Sequence, residues 1–158
     1  AFESYPGLLL ATAWRTPPEP TLPGDGEEPT FPDGHLVPPP GGTHLQFFQL
    51  PPDAAMAAAL EENPGLVDEF MAELRVKIPD LAEAISEENP ALHATASIDY
   101  VIVLSGAVVL ALDDGVTVEL NPGDVVVQNG TPHAWYNPGD EPARLVAVLV
   151  GTPPRSGS

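Results

Sequence analysis

The chain has no cysteine among its 158 residues, so disulfides and thiolate metal sites are excluded and the redox compartment stays open. Cations are nearly as scarce. Five Lys+Arg stand against 23 Asp+Glu, a formal net charge of -18, and such a surface repels phosphate backbones and anionic headgroups. Neither nucleic acid nor a membrane surface is expected as a partner. The acidity is read first as a solubility device, and an anionic substrate would need a local attractor such as a cation in its pocket. Long apolar runs are absent too. Leu8 to Ala13 spans six residues with no basic start, whereas a spanning helix needs about 20, so a cytoplasmic location is the default expectation.

What is present suits one core. A chain of this length with 43% hydrophobic content is expected to form a single domain, residues 1-158. Residues 8 to 16 read as a strand between Pro6-Gly7 and Pro17-Pro18. From Pro17 to Pro40, nine prolines and three glycines fill half of 24 residues, which forbids helix and interrupts a sheet ladder. An extended loop laid over the surface or over a second subunit is expected. Thr43 to Leu50 reads as the next strand, with His44, Gln46, Phe48 and Leu50 on one face.

The period then becomes helical across residues 53-89. Asp53 is expected to cap a helix over Ala54 to Leu60, Asn63-Pro64 to restart one with Leu66, Val67, Phe70, Met71 and Leu74 on a face, and Asp80-Leu-Ala-Glu83 to begin a third. Ten acidic residues between Asp53 and Glu88 fall on the other faces and read as solvated surface. This insertion is expected to serve as a lid over a pocket or as an interface.

After Asn89-Pro90 only strands and turns remain. Asp113-Asp114-Gly115 separates Ala107 to Leu112 from Val116 to Leu120 as a hairpin turn, and the identical Asn-Pro-Gly-Asp turns at 121-124 and 137-140 punctuate Val125 to Gln128 and His133 to Tyr136. Arg144 to Val150 is an almost continuous apolar run, the pattern of a strand covered on both faces. The fold class is therefore mainly β, a sandwich or barrel.

If Ala94 to Ser105 is extended, alternation puts His93, Thr95, Ser97, Asp99, Val101 and Val103 on one side. Polar, metal-competent groups then run into an apolar interior. His133 and Trp135 share a face further on, and Trp135 is a candidate aromatic wall for a flat substrate. Gln128, Trp14 and Gln46 are further candidate lining groups, Tyr100 has the opposite parity to Asp99, and His35 and His44 are read as surface residues.

These residues resemble the motifs of the cupin family, small double-stranded β-helix barrels of jelly-roll type. His93 takes the first histidine position of the first motif, Thr95 the second, Asp99 the glutamate position, and Gly106 follows after six residues. In the second motif Gly123-Asp124 opens, Gly130 is the inner glycine, and His133 and Asn137 keep the final spacing. Two departures stand out: Thr95 replaces an imidazole, and one residue is missing before His133. The resemblance covers residues 91-150 as the conserved barrel, residues 8-50 add outer strands and the proline-rich loop, and residues 53-89 form the helical insertion. The phrase from Thr95 to Trp135 is also similar to small stand-alone cupins found near secondary-metabolite pathways.

The resemblance implies an enzyme acting on a small molecule, with His93, Asp99 and His133 as catalytic residues and as ligands of a divalent metal (Fe, Mn, Zn or Ni), or as a metal-free acid-base set in which Asp99 fixes a histidine tautomer. Thr95 would add a weak ligand or hold a water, and Ser97, Gln128, Trp135, Trp14 and Gln46 would bind substrate. The expected reaction is a non-redox one, a lyase, decarboxylase, dehydratase or isomerase step on an oxygenated organic acid or polyketide-like metabolite. An iron-dependent dioxygenase and a non-catalytic small-molecule-binding cupin are the alternatives, and a homodimer is expected.

Overall fold

A computed structural model describes residues 1-24, 26 and 34-153, so the middle of the proline-rich loop lies outside the described residues. Two strands, β1 (Leu9–Thr16) and β2 (Thr43–Leu50), precede three helices, α1 (Asp53–Glu62), α2 (Leu66–Lys77) and α3 (Pro79–Ala84). Six strands follow: β3 (Ser97–Ser105), β4 (Val108–Leu112), β5 (Thr117–Leu120), β6 (Val125–Gln128), β7 (His133–Tyr136) and β8 (Ala143–Gly151). They form a five-stranded sheet in the order β1-β2-β8-β3-β6 and a three-stranded sheet in the order β5-β4-β7, antiparallel throughout. This is a mainly β, double-stranded β-helix architecture.

The core lies between the sheets. Val101 and Val103 of β3 and Leu145, Ala147 and Leu149 of β8 face Val108 and Leu110 of β4 and Leu120 of β5. Period-2 alternation supplies both the buried and the outward rows. In β8 that alternation is strict: Ala143, Leu145, Ala147 and Leu149 are buried, while Arg144 and Val148 are exposed. The apolar run therefore does not mark a strand covered on both sides, because only one sheet face meets a second layer. Gly106, where β3 ends, adopts φ +75°, and a Cβ there would stand 2.9 Å from the Cα of Ala143, so both backbone and space demand glycine.

The helices pack across one end of the barrel, and their starts differ from expectation. Pro52 and Ile78, not Asp53 and Asp80, occupy the cap positions, although Asp80 accepts the N–H of Leu81 at 3.0 Å within the first turn of α3. Each carboxylate also reaches a distant segment. Asp53 accepts the backbone N–H of Asn137 at 3.0 Å, and Asp80 accepts those of Leu36 at 3.1 Å and Val37 at 2.8 Å, tying helix starts to distant loops. Asn137 completes the first tie by donating from Nδ2 to the carbonyls of Leu50 and Glu141. The loop residue Leu36 is itself buried in the core, so this part of the proline-rich loop enters the interior instead of lying over it.

A second apolar cluster joins the N-terminal segment to the helices. Phe2 and Tyr5 meet Phe70 edge-on, each at 5.4 Å, around buried Leu8 and Leu74. Glu73 fixes this segment by accepting the backbone N–H groups of Glu3 and Ser4, both at 2.9 Å, along with the Ser4 hydroxyl. Among the described residues no helix is long and apolar enough to cross a membrane.

Candidate active site

A cavity of about 240 Å³ lies inside the barrel beneath the helices. Its walls are mostly aliphatic and aromatic, with Leu10, Phe48, Val101, Leu145, Ala147 and Leu149 from the sheets and Tyr5, Phe70, Leu74, Leu81 and Ile85 from the N-terminal segment and helices. The polar lining consists of His93, Thr95, Asp99 and His133 beside Trp135, and among the described residues no Lys or Arg lines the cavity. The helical insertion thus supplies part of the cavity wall.

Of the nine residues expected at the site, five meet here. His93 lies just before β3 and forms a two-way backbone bridge with His133 at the start of β7, each N–H donating to the other's carbonyl at 3.0 Å. That bridge sets the imidazole centroids 4.4 Å apart. Trp135 stands edge-on to His133 at 6.0 Å. The strand starts at Ser97 and not at Ala94: alternation along β3 buries Ser97 and Asp99 and leaves Tyr100, at 46% exposure, on the outer face, while Thr95 is buried in the segment that precedes the strand.

The hydrogen bonds assign roles within this group. Ser97 donates to the Thr95 hydroxyl at 2.9 Å, and Thr95 makes a long 3.4 Å contact to Asp99 Oδ2. Asp99 Oδ1 is buried with no partner. Ser97 does not line the cavity; it supports Thr95 from behind and favours the charged form of Asp99. His133 Nδ1 lies 2.8 Å from the Thr131 carbonyl. A carbonyl only accepts, so in the neutral ring Nδ1 carries the proton and Nε2 keeps its lone pair. Thr131 therefore fixes this tautomer, the task expected of Asp99.

Burial dominates the electrostatics. Removal from water pushes the Asp99 carboxyl above its ordinary value, a shift moderated by Ser97, His133 and Thr95. Burial lowers both imidazoles: His93, with His133 adding to the effect, falls to about 4, and His133 falls by less because Thr131 and Asp99 favour its charged form. At neutral pH both rings are uncharged.

Two imidazoles and a carboxylate have the right chemistry for a divalent cation. Their placement is less suited: among the described residues no group of three or more His, Cys, Asp or Glu side chains could hold a metal ion. The donors as they stand do not fit a resident metal.

The other expected residues lie apart. Gln128 is buried opposite Asp99 in the β3-β6 pairing but does not reach the cavity. Gln46 is buried, accepts the Thr12 hydroxyl at 3.0 Å, and faces a separate cavity of about 290 Å³ near Arg15 and Ile78. Trp14 is 48% exposed. A register shift between Thr12 and Trp14 places one extra residue in β1, which reverses side-chain parity and turns Trp14 outward. His44 corrects another expectation: it is 3% exposed and its Nδ1 lies 2.8 Å from the Leu36 carbonyl, while His35 is exposed as expected. Sequence reasoning missed Tyr5, Phe70, Leu81 and Ile85 as cavity walls. The helical stripe containing Phe70 and Leu74 was visible, but its target was not.

Comparison with known proteins agrees with the motif positions. Residues 83–149 match the family model described as the Cupin domain. Over 46 residues the chain is 52% identical to the Phomopsin biosynthesis cluster protein C' of Diaporthe leptostromiformis, covering 29% of this chain and 24% of that protein. Over 66 residues it is 39% identical to the Cupin-domain-containing oxidoreductase fogC of Aspergillus ruber, covering 40% of this chain and 32% of that protein. The chain thus spans about a quarter to a third of the length of these relatives. Among solved structures, a cupin domain from Bordetella pertussis aligns over 94% of this chain and 97% of its own at 14% identity, with a TM-score of 0.46.

Proposed function

From the match of residues 83–149 to the Cupin domain family model we propose that the protein is an enzyme that moves a proton on an uncharged, oxygenated small molecule held in the barrel cavity. The observation that carries this reading is the unpartnered, buried Oδ1 of Asp99 at the polar end of an otherwise apolar cavity. An orphaned carboxylate oxygen costs stability unless something in the cavity uses it. Among the described residues a substrate carboxylate would meet no Lys or Arg there and would face Asp99 itself. A ketone, aldehyde or enol avoids that repulsion, so the organic-acid class gives way to the neutral one.

The chemistry follows from protonation state. Asp99, with its proton affinity raised toward neutrality, accepts the acidic C–H proton next to a carbonyl at Oδ1. The electron pair moves onto the carbonyl oxygen, where the N–H of the neutral His93 ring donates a hydrogen bond to the developing charge. Return of the proton to the neighbouring carbon completes an isomerisation. Departure of a β-hydroxyl as water, protonated by Asp99 with the proton it took from carbon, completes a dehydration and restores the carboxylate. The helices exclude bulk water and strengthen each of these interactions. The relatives, a biosynthesis cluster protein and a cupin-domain-containing oxidoreductase by name, support a setting in secondary metabolism and favour a second reading, an oxidation-reduction step. That step would require an electron acceptor from outside the residues described above.

Deuterium exchange separates the readings. A panel of small uncharged ketones and 1,3-diketones is incubated with protein in D2O and followed by NMR, alongside metal analysis and repetition with added Fe(II) and Mn(II). We expect metal-independent exchange that falls about 100-fold or more in Asp99→Asn and in His93→Ala. Exchange by wild type that persists in Asp99→Asn overturns the assignment of the base. Turnover that appears only with added metal favours the redox reading, and binding without any turnover favours a small-molecule-binding cupin.

A further inference from the structure

The cavity beside Gln46 lies outside the proposed reaction site. None of His93, Thr95, Asp99 and His133 lines it, although Leu10 and Leu36 form a wall common to both cavities. Its charges are of the opposite sign. Among the described residues no Asp or Glu lines it, in a chain with 23 of them, whereas Arg15 and Lys77, two of the five Lys+Arg, both do. Backbone geometry brings the guanidinium there. The extra residue in β1 that turns Trp14 outward leaves Arg15 opposite buried His44, on the same inner face as Thr12 opposite buried Gln46. Unbroken alternation from Thr12 would have turned Arg15 outward. Arg15 and Gln46 are thus diagonal neighbours about 7–8 Å apart along their backbones, close enough for two long side chains to share one small group. The His35 carbonyl accepts an N–H from Arg15 Nη2 at 3.1 Å and helps to orient the guanidinium.

Gln46 supplies an independent sign of an occupant. It is 2% exposed, and its Oε1 accepts the Thr12 hydroxyl at 3.0 Å, but among the described residues its buried Nε2 has no partner. A buried donor left unpaired costs stability unless something in the cavity accepts from it. A carboxylate suits this place, because its two oxygens accept from an amide and a guanidinium together. Lys77, hydrogen-bonded to Glu73 and with its side chain 43% exposed, adds positive charge at the edge. The remaining wall narrows the class. Phe2, Leu10, Leu36 and Ile78 are apolar, which favours a hydrocarbon tail over a hydrated phosphate, and about 290 Å³ admits only a small molecule.

We infer that this cavity is a second binding site, for a small aliphatic monocarboxylate whose oxygens accept hydrogen bonds from Gln46 Nε2 and Arg15. The inference is independent of the chemistry at Asp99. Isothermal titration calorimetry of the full chain with hexanoate tests it, with hexylammonium and inorganic phosphate as comparisons. We expect saturable binding of hexanoate, with both comparisons weaker by about 10-fold or more. Arg15→Gln and Gln46→Met should each weaken hexanoate binding by about 10-fold or more, because each removes a hydrogen bond to a charged group. In wild type the side-chain amide resonances of Gln46 should shift when hexanoate is added. Asp99→Asn should leave hexanoate affinity unchanged, which separates this site from the barrel cavity. Far-UV circular dichroism checks folding, and if Gln46→Met misfolds, Arg15→Gln at a partly exposed position decides. The inference is overturned if hexanoate does not bind, if it binds folded Arg15→Gln as tightly as wild type, or if it binds Asp99→Asn much more tightly. A preference for hexylammonium or for phosphate overturns it as well.

Discussion

The two ends of the barrel interior are built from the same strands and behave oppositely. At one end Val103, Val108, Leu110, Leu120, Ala143 and Leu145 fill the space between the sheets with no polar atom to satisfy. At the other, β3 and β7 bring Asp99, Thr95 and two imidazoles into a cavity, with one carboxylate oxygen left unpartnered and both rings held neutral by burial. Burial stabilises the first end and opposes the charged forms at the second. The difference teaches that the closed end must supply the stability that the site end lacks.

Four experiments sharpen or break that contrast. The largest effect belongs to the closed end: Leu145→Ala should lower unfolding free energy by about 2–5 kcal/mol in denaturant titrations. Leu145 also borders the cavity floor, so exchange activity should change far less than with Asp99→Asn. A pH effect comes next, at the site end. Because the folded value of His93 is depressed to about 4 from 6.5, the unfolded chain binds a proton in that window that the folded chain refuses. Stability is therefore unaffected above pH 6.5 and falls as pH drops toward 4, by about 3 kcal/mol from this group alone. His133 acts in the same direction, whereas Asp99, raised in the fold, opposes it. Unfolding measured between pH 7.5 and 4.5 should show a shallower decline in His93→Gln than in wild type.

Gly106→Ala should cost about 1–3 kcal/mol through left-handed strain and the close approach to Ala143, with catalysis per folded molecule retained. The smallest stability effect is expected from Asp99→Asn. Removing a carboxylate whose charged form the fold disfavours should leave the melting temperature unchanged or slightly raised at pH 7.5, an advantage that shrinks toward pH 4. Clear destabilisation at pH 7.5 would mean that Asp99 belongs to the structural end of the comparison after all. The same group sets the acid limb of the activity profile, which should lie above the ordinary carboxylate value.

Much of this contrast was legible along the chain. Strict alternation in β3 placed Ser97 and Asp99 on the buried side and Tyr100 outside, because a pleated strand has only two faces. The turn signals located the hairpins, since Gly115 at φ +84° supplies a backbone conformation other residues rarely adopt. Trp14 escaped because a single extra residue in β1 reverses parity without any mark in the local pattern. The caps escaped because both helices start earlier: Pro52 and Ile78 take the cap positions, and the Asp53 and Asp80 carboxylates reach segments distant in sequence, Asp80 while still accepting the Leu81 N–H.

The sequence by itself determined the β-rich class, the polar row on β3, the helical interruption and the excess of acid, all of which rest on periodicity, turn chemistry or composition. Only the tertiary structure decided that His93 and His133 bridge through their backbones, that the helices and N-terminal segment wall the cavity, and that Asp99 keeps one oxygen free. Those outcomes depend on which distant segments meet, and solvent exclusion at their meeting point sets the proton affinities that no local pattern encodes.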